Sequence, residues 1–115
     1  MKSDQAMDLY QQAYRSEQGG KTRLAEVYYL KSWSLFNEAG GENLLNAANV
    51  LNALAFLRWS RKDYESALCW AQQAMRIMET QCGGLSGADA DLIRSTSWEL
   101  VDQVTYEMSL VYGAR

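Results

Sequence analysis

The stretch that decides the fold runs from Leu51-Asn52-Ala53-Leu54-Ala55, through Asp63-Tyr64-Glu65-Ser66-Ala67-Leu68, to Ala74. Its apolar and small residues recur at three and four positions, the period of a helix. The pattern breaks at Lys62-Asp63, where the Asp63 carboxylate is placed to cap a second helix. A turn this short favours antiparallel neighbours. Moved by 42 positions, the chain falls on itself: Leu9 on Leu51 and Leu51 on Ile93, Ala13 on Ala55 and Ala55 on Ser97. In the second helix Ala25 falls on Ala67, Ser32 on Ala74 and Leu35 on Ile77. Self-similarity at a fixed spacing marks an array of like units. Two helices of a hairpin cross closely only where side chains are short, so Ala or Ser must recur at the crossings.

Glycine punctuates the rest of the chain, which has no proline. The pairs Gly19-Gly20, Gly40-Gly41 and Gly83-Gly84 each read as a helix end plus a turn. Together with Lys62-Asp63 they divide the chain into helices over about 4–18, 22–38, 44–61, 64–81 and 89–112. Ser86 or Asp89 is the expected start of the fifth, with Asp89 and Asp91 at its positive end. No segment alternates in the manner of a strand.

The middle unit resembles a tetratricopeptide repeat. In that family an apolar residue, then Leu followed by a small residue, mark the first helix. An Asp-Tyr pair, Ala-Leu and a further Ala mark the second. The 42-residue spacing is similar to the long-loop variant of kinesin light chains and many bacterial regulators. Arg58 and Ala71 depart from it, standing where the family prefers aromatics. The resemblance implies an all-α fold, with antiparallel helix-turn-helix repeats stacked as a short right-handed α-solenoid. It implies one domain over 1–115, in units of about 4–40, 44–83 and 89–115, the last incomplete. That last unit echoes the middle one: Tyr64-Glu65-Ser66-Ala67-Leu68-Cys69-Trp70 aligns with Tyr106-Glu107-Met108-Ser109-Leu110-Val111-Tyr112. No glycine turn precedes the echo. Either the fifth helix runs straight through 102–105, or the chain is a piece of a longer solenoid.

Stacked repeats place equivalent positions in rows. The resemblance implies that first helices line a concave face where a peptide or an extended segment of a protein partner lies. Three rows fall on those helices: Tyr14, Phe56 and Trp98; Tyr10, Asn52 and Arg94; Glu17, Trp59 and Val101. The site residues expected from them are Tyr10, Tyr14, Asn52, Phe56, Trp59, Arg94 and Trp98. Aromatic rings carry large apolar area at small rotamer cost, which suits a contact surface. Asn52 can pair with a peptide backbone through both edges of its amide. Packing between neighbouring first helices is the other reading of the aromatic row, and one ring can do both. Tyr28, Tyr29, Trp33, Tyr64 and Trp70 belong to second helices or their starts and read as packing.

The remaining residues exclude more than they propose. The chain has 115 residues, the length of one domain. The net charge of −3 argues against nucleic acid. The basic group Arg58, Arg61 and Lys62 lies beside Asp63 and Glu65 and reads as a solvated helix end. No apolar run reaches the roughly 18 residues of a membrane span, and Met1 to Asp8 lacks the pattern of a signal peptide. Histidine is absent, which removes the commonest general base and transition-metal ligand. Cys69 falls on a helical apolar face and reads as an inert, packed thiol. Cys69 and Cys82 sit near opposite ends of one expected helix, too far apart to bridge at about 1.5 Å rise per residue. Reduced cysteines are consistent with a cytoplasmic protein. No cofactor, metal or catalytic residue is expected. The reading is a binding module rather than an enzyme. The alternative is a structural segment that assembles with itself or with further repeats.

Overall fold

The computed structural model describes residues 2–41, 43–80 and 87–113. Five helices follow in chain order: α1 Lys2–Gln18, α2 Thr22–Ala39, α3 Asn43–Ser60, α4 Tyr64–Thr80 and α5 Ala88–Tyr112. Among the described residues there is no strand. Each helix packs chiefly on its neighbours in the chain, and α3 also touches α5. An ion pair of 3.1 Å from Lys2 to Glu38 joins the start of α1 to the end of α2, as an antiparallel hairpin requires. The expected Gly83-Gly84 turn, the Ser86 start and Cys82 lie outside the described residues.

Small residues hold the stack together. Ala13, Ala55 and Ser97 are fully buried, and so are Ala25 with Ala67 and Ser32 with Ala74. Ala6, Ala48 and Ala90 form a further row at the same spacing, also buried. Where the hairpins differ, volume is redistributed. Tyr29 fills in the first unit the position that Ala71 holds in the second, and Phe36 answers Met78. The Ser32 hydroxyl is satisfied by donating to the Ala6 carbonyl at 2.7 Å. Trp33 and Trp70 meet edge to face across the two units, with centroids 5.9 Å apart.

Arg58 is not the solvated residue expected of a basic helix end. Its Nε lies 2.6 Å from Glu26 Oε1 and its Nη2 2.9 Å from Oε2, while Nη1 reaches Asp63 at 3.0 Å. A planar guanidinium fits a carboxylate in this two-pronged way. The charge therefore ties α3 to α2 and fixes the turn into α4, at a position where the family prefers an aromatic. Arg61 and Lys62 remain exposed. Cys69 is exposed rather than packed. The buried face of α4 is Ala67, Ala71, Ala74 and Met78; Cys69 lies two residues from both Ala67 and Ala71, about 200° around the helix from each.

The hairpin turns repeat as well. The Lys21 amide donates to Ser16 O at 2.8 Å and the Gly20 amide to Glu17 O at 3.0 Å. Forty-two residues on, Asp63 donates to Arg58 O at 2.9 Å and Lys62 to Trp59 O at 2.8 Å. Both closures need a left-handed residue. The first uses Gly20 at φ 79° and the second Lys62 at φ 62°. The third equivalent position is Val104, whose β-branched side chain disfavours that conformation. Val104 is buried instead, and α5 runs unbroken through 102–105. The N-cap of α5 is Gly87, not Asp89; Asp89 and Asp91 occupy the first turn, where the helix dipole favours them.

Two outcomes test this account. Ala55→Phe and Ala67→Phe should each destabilise the fold by about 1–3 kcal/mol, since neither fully buried site has room for a ring. Thermal melting of both variants checks this, and unchanged transitions would place the helix crossings elsewhere. Lys62→Gly should act in the opposite sense, raising stability by about 1 kcal/mol through relief of the left-handed conformation. Urea unfolding measures it, and a loss of stability would show that the Lys62 side chain contributes more than its backbone costs.

Candidate functional site

The first helices α1, α3 and α5 lie side by side and turn one stripe each toward a common surface. On α1 the stripe is Tyr10, Tyr14 and Glu17, spaced by four and three. On α3 it is Asn49, Asn52, Phe56 and Trp59, again at helical spacing. Tyr14 is 53% exposed and Phe56 47%. Two hollows lie between these stripes. One, of about 260 Å³, is lined by Tyr14 of α1, Tyr29 of α2, Phe56 of α3 and Leu100 of α5, among others. The other, of about 550 Å³, is lined by Phe56 and Trp59 on one side and by Thr96, Glu99, Leu100, Asp102 and Gln103 on the other. Phe56, Thr96 and Leu100 belong to both, so the hollows adjoin.

The seven expected residues divide. Tyr14, Phe56 and Trp59 line the hollows with their rings available. Phe56 and Trp59 stand edge to face with centroids 5.6 Å apart. The Trp59 indole N–H donates to Glu107, which orients the ring. Tyr10 is half-buried and packs on Tyr29 at 5.7 Å. Its hydroxyl accepts from the Asn49 amide at 3.5 Å. Tyr10 thus forms the floor more than the wall.

Asn52 lines the first hollow, yet its amide is committed to the fold. It is only 4% exposed, donates to the Ile93 carbonyl at 3.1 Å and accepts from the Ser97 hydroxyl at 2.8 Å. Both edges that were expected to read a peptide backbone instead hold α5 against α3. Arg94 pairs with Asp91 at 3.1 Å on its own helix and lines neither hollow. Trp98 is 47% exposed but also lines neither. The helix explains this: α5 turns Thr96, Glu99 and Gln103 toward Phe56. Trp98 is about 100° from Glu99 and about 160° from Thr96, and stands about 40° beyond Asp102, at the edge of the lining. Tyr14 and Phe56 therefore share a hollow, while Trp98 faces away from it.

Rows across helices did not reveal Asn49, Thr96, Glu99, Leu100, Asp102 and Gln103. Their signal runs along each helix: Asn49, Asn52 and Phe56, like Thr96, Glu99 and Gln103, stand at i, i+3 and i+7. The electrostatics of the floor are simple. Burial holds the Tyr29 hydroxyl protonated far above the ordinary phenol range, and its 2.7 Å hydrogen bond to Glu17 acts in the same sense. Tyr29 is a fixed donor and not a proton shuttle. Among the described residues no group of three or more acidic or thiol side chains is arranged to hold a metal.

The family model for the tetratricopeptide repeat matches residues 17–80, more than half of the chain, covering both hairpin turns and α2 to α4. The chain belongs to the tetratricopeptide-repeat family. No match is found among curated proteins or among solved structures. Tetratricopeptide repeats are in general protein-interaction modules, and their all-helical scaffolds are typically non-enzymatic. Among the described residues, no helix is long and apolar enough to cross a membrane.

Proposed function

We propose that this tetratricopeptide chain is a scaffold that holds a protein partner by an extended segment laid along the two adjoining hollows. The observation that carries this reading is the exposure of Tyr14 and Phe56 on one surface, with Trp59 beside them. A ring half in water loses apolar hydration when a partner covers it, at little entropic cost. Such rings, central in a depression, are the usual anchors of binding energy. Asn49, Thr96 and Gln103 donate within the protein, to Tyr10, the Leu92 carbonyl and Glu107, which leaves their oxygens along the rim to accept from a backbone that arrives extended. Catalysis is not part of the proposal. The exposed Cys69 thiol fits a reducing, cytoplasmic setting.

A second reading has an observation of its own. Tyr106, Leu110, Val111 and Tyr112 are all well exposed around the last turns of α5. In the second unit the equivalents of 106–112 fold back as α4, whereas in α5 they continue outward. A contiguous apolar surface of this kind favours association with a second copy or a further repeat.

Selection from a displayed peptide library, followed by calorimetry with a selected peptide, tests the first reading. Phe56→Ala should weaken binding by about 2 kcal/mol, roughly thirtyfold, while circular dichroism stays unchanged. Binding that survives the substitution at full strength would remove the hollows from the account. The second reading predicts a molar mass in sedimentation that rises with concentration and returns to the monomer value in Leu110→Asp. A monomer at every concentration would sink it.

A further inference from the structure

The larger hollow has walls of two chemical kinds. On α3 stand the rings of Phe56 and Trp59. On α5 stand Glu99 and Asp102, both exposed, and neither forms an ion pair among the described residues. No Lys or Arg lines this hollow. The adjoining one adds the Glu17 carboxylate and again no base. The base on α3 itself, Arg58, is taken up by Glu26 and Asp63, and Lys62, past the end of α3, lines a separate depression. The base of the expected surface, Arg94, is taken up by Asp91 on its own helix.

Unpaired carboxylates facing aromatic rings make a surface for a cation carried on an apolar stem. The ring quadrupole attracts the charge, the methylenes of Lys or Arg pack on apolar surface, and a carboxylate meets the head group with a charge-assisted bond. The same arrangement repels an acidic segment, since like charges brought together across an interface cost affinity.

We propose that the segment held in the groove is basic, with a Lys or Arg whose stem lies on Phe56 and Trp59 and whose charge meets Glu99 and Asp102. This rests on the groove reading above and names the chemistry of its partner. It also assigns a selective role to Glu99 and Asp102, which on α5 would otherwise be ordinary solvated residues.

Three labelled peptides of one length test it by fluorescence anisotropy: four repeats of Ala-Lys-Leu, of Ala-Gln-Leu and of Ala-Glu-Leu. The Lys peptide should bind about tenfold more tightly than the Glu peptide. The gap should narrow as salt rises from about 50 mM to about 500 mM. Glu99→Gln combined with Asp102→Asn should reduce the preference to less than about threefold. Asp8→Asn combined with Glu79→Gln removes the same charge from α1 and α4, away from both hollows, and should leave the preference intact. A Lys peptide that fails to bind, or that binds no better than the Glu peptide, overturns the inference. So does a preference that both double variants diminish equally, because it then belongs to net charge. Peptides that bind without regard to charge, yet lose affinity in Phe56→Ala, overturn the basic partner and leave the groove standing. Binding untouched by Phe56→Ala overturns both.

Discussion

Close approach of helices at small side chains is the constraint on which this structure depends. At each crossing of a first helix with its neighbours stands Ala or Ser, and these residues are buried without a side chain long enough to fill space of its own. The backbones themselves then become the packing surface, and interior density is reached by proximity rather than by bulk. The larger residues take what room is left. Tyr29 and Phe36 fill the first hairpin, Met78 the second, and the tryptophans of α2 and α4 close the seam between them. Any increase in spacing would loosen all of these contacts together, and would also part the stripes of α1, α3 and α5 that make the hollows.

Polar groups complete what the small residues begin. Asn52, Ser97 and the Ile93 carbonyl form a connected set between α3 and α5, and Arg58 binds Glu26 and Asp63 between α3, α2 and the next turn. Both sets are directional, and each fixes the rotation of one helix about its axis. Rotation decides which residues line a groove: a turn of about 100° would bring Trp98 to the place of Glu99. The acids of α5 face Phe56 because buried hydrogen bonds elsewhere on α5 have already chosen the angle.

Much of this was legible in the sequence, for reasons of geometry. Helix ends follow from glycine and from Asp63, which mark backbone states that few residues adopt, and the boundaries fall within two residues of expectation. The small-residue rows were visible because a crossing tolerates so few alternatives. Rotation about the helix axis was less legible. Asn52 looked like a reader of peptides because its neighbours in sequence face the groove; only the position of α5 shows that its amide is already engaged. Cys69 was misplaced by about half a turn for the same reason, since several faces of α4 carry apolar residues. Arg58 departed from the family pattern, and its partner Glu26 lies 32 positions away, beyond the reach of any local pattern. The groove acids were hidden because single carboxylates on a helix are common, and their meaning comes from the rings opposite.

The smaller hollow draws its lining from α1, α2, α3 and α5, whereas the helices themselves pack mostly on neighbours in the chain. Folding and recognition therefore operate at different ranges. Contacts between chain neighbours close short loops, so hairpins of this kind form early and with little entropic resistance. In such arrays stability is a sum of local terms, and one end can open while the rest persists. A state that has lost only α5 would keep most of its helix content yet have no complete binding surface. Under the proposed binding, the groove would act as a check on the stack: a partner held there would gain full affinity only from a chain in which α1, α2, α3 and α5 are all in place. Binding energy of that kind would return to the whole array as cooperativity that the local contacts alone do not supply.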